Sequence, residues 1–372
     1  MTEMIPMSSA QLDETDINAV VEVLRSGRLA LGPKALEFER GIAEYVGVKH
    51  AVAVNSGTSA LHLLVRALGI GPGDEVLVPS FTFAASVNAI LYEGATPVFV
   101  DIEPVTYNQD PADLERKITP RTKAIMAVDV FGHPAAWDEI ERLAAAHNLK
   151  VIDDCCEALG AEYKGRKIGQ FGDAGAFAFY PNKQITTGEG GIIVTNDDET
   201  ASLCRSMRNQ GRGEMGAWLE HERLGYNYRL DEMSAALGCS QLRRIEQFLA
   251  TRESVARMYT EHLQGFEWVR TQVVEPHARM SWFVYVVTLA EGLERDRVMQ
   301  EMTERGVPVR GYFSPIHQQP YIRERFGASD ERFPITESIA PRTIALPFHN
   351  ELTPAQIERV VTSLREAVTR QE

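Results

Sequence analysis

The chain has 372 residues, 44% of them hydrophobic and 24% charged, and a formal net charge of -14. That length exceeds one small core and implies a large domain with a smaller companion, and the composition excludes wholesale disorder. The acidic balance argues against a general surface for nucleic acid or anionic membrane, both of which need basic patches.

A phosphorylated ligand would therefore be held locally, by loops and a few arginines. No apolar run of about 18 residues offers a membrane span, and Met1-Thr2-Glu3-Met4 lacks the basic and apolar regions of a signal peptide. Cys155, Cys156, Cys204 and Cys239 show neither metal spacing nor a disulfide framework. Reduced thiols in a cytoplasmic protein are expected.

Residues 13–26 carry helical apolar spacing through Ile17, Val20, Val21 and Leu24, with Gly27 as the stop. Gly32-Pro33 opens a second helix that ends near Gly47. Strands are then expected over 51–54, 75–78, 97–100, 124–128 and 150–153, and helices between them over 59–68, 84–92, 111–117 and 137–147. That alternation predicts an α/β fold with a mostly parallel sheet, which binds ligands at the carboxyl ends of its strands. Two more strands, 175–180 and 191–195, complete the sheet. One long helical stretch is expected from Leu230 to about Gln264, leading out of the large domain. A strand over 282–289 and helices over 293–305 and 354–369 make a smaller α+β unit. The expected domains are 1–245 and 246–372.

Three candidate sites fall at strand ends. Lys183 stands on a loop after the apolar run 176–180, which Pro181 ends. A lysine used as a nucleophile has to shed its proton in an apolar or cationic setting, and Phe177, Phe179, Tyr180 and Ile185 are the expected walls. In Asn55-Ser56-Gly57-Thr58-Ser59, Gly57 allows a close turn, and Thr58 and Ser59 add hydroxyls to the open N–H groups of a helix start. That combination suits a phosphate, although Ser and Thr there also serve as ordinary caps. Asp154, in Val151-Ile152-Asp153-Asp154, stands where a carboxylate can hold a cationic ring nitrogen. A loop lysine, a phosphate cradle and a strand-end aspartate together meet the needs of pyridoxal 5′-phosphate (PLP). Of the aromatics in Pro79-Ser80-Phe81-Thr82-Phe83, either can stack on a ring, and Phe81 equally suits the core.

These segments resemble the DegT/DnrJ/EryC1/StrS aminotransferases, PLP enzymes that aminate keto sugars carried on nucleotides. The resemblance runs from Gly27-Arg28-Leu29-Ala30-Leu31-Gly32-Pro33 to Leu346-Pro347-Phe348-His349. It includes 55–61 (NSGTSAL), 79–83 (PSFTF), 94–101 (GATPVFVD), 172–183 and 225–232 (GYNYRLDE). It implies the aspartate-aminotransferase-like fold (fold type I), with a large mostly parallel-sheet domain and a smaller C-terminal α+β domain. Lys183 takes the place of the Schiff-base lysine and proton shuttle, and Asp154 that of the partner of the pyridine nitrogen. Glu157 stands where many members have Gln beside the cofactor's phenolic oxygen. Thr58 and Ser59 match phosphate ligands and Phe83 the stacking aromatic. Asn227 matches a residue that reaches the phosphate from a neighbouring subunit, so the resemblance implies a homodimer with shared active sites. Arg229 is a candidate near the same interface. Many relatives carry Ser where this chain has Ala178, so one phosphate contact is absent or replaced. The family's dehydrating branch has histidine in place of Lys183, so the lysine favours transamination.

The expected reaction moves an amino group from an amino acid, glutamate in most of the family, to a keto-deoxysugar on a nucleoside diphosphate. Its expected setting is amino-sugar, polysaccharide or glycoside biosynthesis. A keto-cyclitol or other small ketone is the alternative acceptor, and a PLP-binding regulator without turnover is the alternative from another class. Candidate substrate walls are Arg28 to Leu31, His133, Arg310-Gly311-Tyr312, and Ser314-Pro315-Ile316-His317 with Tyr321.

Overall fold

The computed structural model describes residues 4–213, 220–327 and 331–370; Met1 to Glu3 of the N-terminal run lie outside them. Helix α1 (Glu14–Ser26) begins with a capping box. The Asp13 carboxylate accepts from the amides of Thr15 and Asp16, and the Asp16 carboxylate accepts from the Asp13 amide. It stops at Gly27, whose φ of 70° suits a residue without a Cβ. Pro33 opens α2 (Pro33–Val46) at a position where its missing N–H costs nothing.

Among the described residues the central sheet has seven strands: β1 (His50–Val54), β2 (Glu75–Pro79), β3 (Thr96–Val100), β4 (Thr122–Val128), β5 (Lys150–Asp154), β6 (Ala174–Ala178) and β7 (Gly191–Thr195). Their spatial order is β1-β7-β6-β5-β4-β2-β3. The pairings from β6 to β3 are parallel, and β7 runs against both of its neighbours. The crossover helices are α3 (Gly57–Ala67), α4 (Ala84–Tyr92), α5 (Pro111–Lys117), α6 (Trp137–His147) and α7 (Asp198–Arg208). Neighbouring side chains of a strand point to opposite faces, and the core divides accordingly. Val52, Val76, Met126, Ile152, Ala176 and Ile193 pack beneath α3, α4 and α7. Ala51, Leu77, Ile125, Val151, Phe177 and Ile192 pack on the other side with α2 and α6.

The stretch expected as one helix to about Gln264 is two, α8 (Glu232–Leu242) and α9 (Ile245–Leu263). No glycine or proline marks the break. It falls at Arg243-Arg244, where the Arg244 guanidinium is drawn onto Asp13, 2.5 Å away, and Asp16. The residues of α9 that face inward serve two apolar clusters. Ile245, Phe248 and Leu249 join the core of the large sheet. Val255, Ala256, Tyr259 and Leu263 join a second core built on a small antiparallel sheet, β8 (Val269–Thr271), β9 (Tyr285–Leu289) and β10 (Thr343–Leu346). Around that sheet lie α10 (Arg295–Glu304), α12 (Pro334–Ile339) and α13 (Pro354–Thr369), while α11 (Pro320–Phe326) packs Ile322 into the large-sheet core beside α4. Among the described residues no helix is long and apolar enough to cross a membrane.

Candidate active site

Beyond the carboxyl ends of β4, β5 and β6 lies a cavity of about 350 Å³, lined among others by Gly57, Thr58, Phe83, Asp154, Glu157 and Lys183. The loop that carries Lys183 folds back on its own strand. The Lys183 amide donates to the Tyr180 carbonyl at 2.9 Å, and the Thr187 amide to that of Phe179 at 3.0 Å. The amine Nζ is 3.7 Å from Glu157 Oε1 and 3.7 Å from the centroid of the Phe283 ring. The expected walls are corrected here. Phe177, Phe179 and Ile185 pack into the core on the far face, Phe179 against Phe38 with centroids 5.1 Å apart. Alternation along β6 turns Phe177 away and leaves Ala178 toward the cavity. Tyr180 does line it, and the main aromatic contact comes from Phe283, a hundred residues later in the chain.

Arg252, buried on α9, holds this arrangement. Its Nη2 donates to the Lys183 carbonyl at 2.8 Å and that of Asn182 at 3.4 Å. Its Nη1 donates to Trp282 and Phe283 carbonyls at 3.0 and 3.2 Å. Burial without a carboxylate partner pulls its pKa down to about 10. Next to Lys183, Gln184 Nε2 donates to the Glu157 carbonyl at 2.6 Å, so the loop fixes both members of the Lys183–Glu157 pair.

Asp154 ends β5 on the face toward α4. Its Oδ2 accepts from Ser86 Oγ at 2.6 Å and its Oδ1 from the Cys156 amide at 3.3 Å. Burial raises its pKa, opposed by the Ser86 and Cys156 hydrogen bonds and by the Lys183 charge. Glu157 Oε2 accepts from the Phe131 amide at 2.9 Å. Burial raises this carboxyl too, and the Lys183 charge is the main opposing influence. A cationic group placed against Asp154 would therefore be welcome, because that carboxylate has no salt-bridge partner among the described residues.

Helix α3 points its first turn at the same cavity. Ser56 is its cap, accepting from the Ser59 amide at 3.1 Å. Ser59, expected as a phosphate ligand, is instead buried, with its hydroxyl 2.7 Å from Asn55 Oδ1 and 2.8 Å from Ser56 Oγ. Gly57 and Thr58 reach the cavity. A Cβ on Gly57 would stand 2.7 Å from Ala178 Cβ and 3.0 Å from Cys156 Sγ, so only glycine lets the helix start come this close to β6.

Phe83 lines the cavity and is 63% exposed, whereas Phe81 is core, edge-on to Tyr107, Phe131 and Phe313. Tyr312 also lines it, its hydroxyl pKa raised by burial and by Glu157. Of the other expected substrate residues, Gly311, Ser314, Ile316 and Tyr321 line an adjoining cavity that shares Phe83, Tyr312 and Phe313 with the first, and four candidates stand elsewhere in this chain. His317 is engaged by Ser80 Oγ at 2.5 Å and packs on Phe333 with centroids 4.5 Å apart. His133 is buried, its Nδ1 2.8 Å from the Pro134 carbonyl. Arg28 is exposed and donates to the Leu31 carbonyl at 2.6 Å. Arg229 donates to Asn209 at 2.9 Å in a separate cleft shared with Arg205 and Arg208. Asn227 is exposed and outside the cavity. Ser86, Phe283, Arg252 and Gln184 are among the site residues that sequence reasoning missed.

The residues present fit PLP. An amine, a buried carboxylate aimed at a ring-sized cavity, aromatic faces and a helix start opened by Gly57 surround one space. The sequence pattern of the DegT/DnrJ/EryC1/StrS aminotransferase family matches residues 10–365. The chain is 42% identical to GDP-perosamine synthase of Caulobacter vibrioides, with 97% of each chain covered. It is 38% identical to UDP-N-acetyl-3-dehydro-alpha-D-glucosamine 3-aminotransferase of Acidithiobacillus ferrooxidans, covering 96% of this chain and 94% of the relative. Among solved structures it is similar to DesV of S. venezuelae, with a TM-score of 0.91, 36% identity and 98% of each chain covered. Fold neighbours include PLP and PMP forms. The chain belongs to the DegT/DnrJ/EryC1/StrS aminotransferase family and is a PLP-dependent transaminase, which removes the non-catalytic regulator from consideration.

Proposed function

We propose that the chain transfers the amino group of an amino acid, glutamate first among candidates, to a keto-deoxysugar joined to a nucleoside diphosphate. The observation that carries this reading is the Lys183 amine, held between Glu157 and the Phe283 ring in the cavity that Asp154 closes. The sugar part is supported by the two relatives above, both named for nucleotide-linked sugars, one of GDP and one of UDP. Because those nucleotides differ, the nucleotide used here has to be measured.

PLP, when bound, supplies the carbonyl that receives the amino group and an electron sink for the carbanion. The chain's own groups then have distinct tasks. Asp154, held in place by Ser86, would hold the ring nitrogen and favour its protonated form. The Gly57 and Thr58 end of α3 takes the phosphate. Phe83 would cover a ring face, with Tyr180 and Tyr312 as further walls of the cavity. The Lys183 amine would hold and move the proton at the reacting carbon, its backbone held in place by Arg252. Glu157, whose pKa burial raises, would share a proton with the ring's phenolic oxygen. Asn227 and Arg229, outside the cavity of their own chain, would serve the site of a second copy in a homodimer.

The test is to load the protein with PLP, add glutamate, remove it, and add a panel of nucleotide-linked keto sugars while following the cofactor's visible band. Loss of the band with glutamate and its return with one sugar is the expected result and identifies the acceptor. Loss without return, together with no inhibition by any common nucleotide, would replace the nucleotide sugar with a keto-cyclitol or other small ketone.

A further inference from the structure

Two carboxyl groups behind the site have no task in the chemistry above. Asp129 follows β4, and Asp153 lies in β5 just before Asp154. Alternation turns Asp153 to the opposite face of the sheet from Asp154. Both are fully buried. Asp129 Oδ1 accepts from the Ala135 amide at 2.6 Å and from the Trp137 indole at 3.1 Å. Asp153 Oδ2 accepts from the Gly169 amide at 2.9 Å. The Asp129 amide donates to the Asp154 carbonyl at 3.3 Å, which sets the two acids side by side where β4 pairs with β5, and the charge on each carboxyl is felt by the other. Their remaining oxygens, Asp129 Oδ2 and Asp153 Oδ1, are buried and receive no donor.

Among the described residues no lysine, arginine or histidine pairs with either acid. The titratable groups facing the pair are Cys155, whose thiol is pushed up by burial and then by both aspartates, and Asp154. Two dehydrated carboxylates side by side, with no cation, do not both ionise. One proton placed between the two orphan oxygens supplies the missing donor and removes one of the charges.

We propose that Asp129 and Asp153 share a single proton near neutral pH, and that the one charge they keep makes them positioning residues that act through Asp154 to hold a proton on the group it faces. This second clause rests on the reading that Asp154 faces the cofactor's ring nitrogen. Burial raises both carboxyls, the charge on Asp129 raises Asp153 further, and Asp154 adds to both. The pair titrates as a unit, so the proton belongs to both residues.

Asparagine tests this cleanly. In Asp153→Asn the amide oxygen still accepts from Gly169, and the amide nitrogen donates to Asp129 Oδ2. In Asp129→Asn the geometry is mirrored. Each single variant keeps one charge and loses the shared proton. Isotope-edited infrared spectroscopy of the cofactor-free protein with labelled aspartate, in an Asp154→Asn background so that Asp154 contributes no band, should show a protonated-carboxyl band near neutral pH that disappears in both variants. No such band in that background, or a band that persists in both variants, overturns the proposal. With ¹⁵N-labelled PLP bound, the ring nitrogen should stay protonated in both single variants and lose its proton roughly one pH unit lower in the double variant. An unchanged titration in the double variant overturns the electrostatic clause while leaving the shared proton intact. If the double variant does not fold, the infrared result on the single variants decides. A ring nitrogen indifferent to Asp154→Asn would defeat the reading of Asp154, not the infrared result.

Discussion

Lys183 and Glu157 sit 3.7 Å apart in a space from which solvent is largely excluded. Replacing Lys183 by Ala should leave the fold intact and lower turnover by about 10²–10⁴-fold, the usual worth of a positioned acid–base group, as read by single-turnover kinetics. Glu157→Gln should keep the contact to the Phe131 amide and flatten the acidic limb of the kcat/KM profile. Because burial raises the Glu157 pKa, the folded state binds its proton more tightly than the unfolded chain does. Stability therefore falls as pH rises from the ordinary carboxylate range to the raised value, and urea unfolding of the Gln variant should lack that slope. Arg252→Met would strip four carbonyl contacts at once. It should cost about 3 kcal/mol or more in stability, and Arg252→Lys less. At this scale the meeting of Lys183, Asp154, Gly57 and Thr58 at one cavity was legible because each stands in a short motif beside a strand end, and Glu157 was added by the family resemblance. Ser86 and Phe283 were not, since their tasks depend on which distant segment packs against them. Arg252 did leave a signal: it interrupts the apolar stripe of Ile245, Phe248, Leu249, Val255, Ala256 and Tyr259 with a charge.

The contact of α3 with β6 determines how near the open end of the helix comes to the cavity. Gly57→Ala would bring a methyl group to 2.7 Å from Ala178 Cβ. The helix start must then retreat, with an overpacking cost of about 1–3 kcal/mol and weaker PLP binding in an absorbance titration. The same close fit accounts for Ala178: it stands under the helix start, where a larger side chain would press on Gly57. On α4, Ser86→Ala removes a donor from Asp154, so the Asp154 pKa should rise further and PLP affinity should drop about tenfold. Most of the elements were visible in the sequence, since period-2 apolar strands and capped helices carry their own marks. The α8–α9 break was hidden because it depends on Arg244 reaching two aspartates far earlier in the chain. The reversed direction of β7 also follows from a pairing that no local pattern encodes.

For the molecule as a whole, the exposure of Asn227 and of Phe83 beside the cavity suits a second copy that completes the site. If sites are shared in this way, Lys183→Ala and Asn227→Ala proteins, each nearly inactive, should regain activity when unfolded together and refolded. About a quarter of the sites would then be intact in a random mixture of symmetric dimers; no recovery would assign Asn227 to another role. The course of α9 has a separate consequence for how such enzymes can be recombined. One helix supplies apolar residues to both cores and, through Arg252, grips the lysine loop of the large sheet. A chimera that takes its C-terminal part from a relative to change the acceptor would replace that grip if joined near residue 245, where composition alone suggests a seam. Joined after Leu263, it would inherit the whole helix and with it the geometry of Lys183.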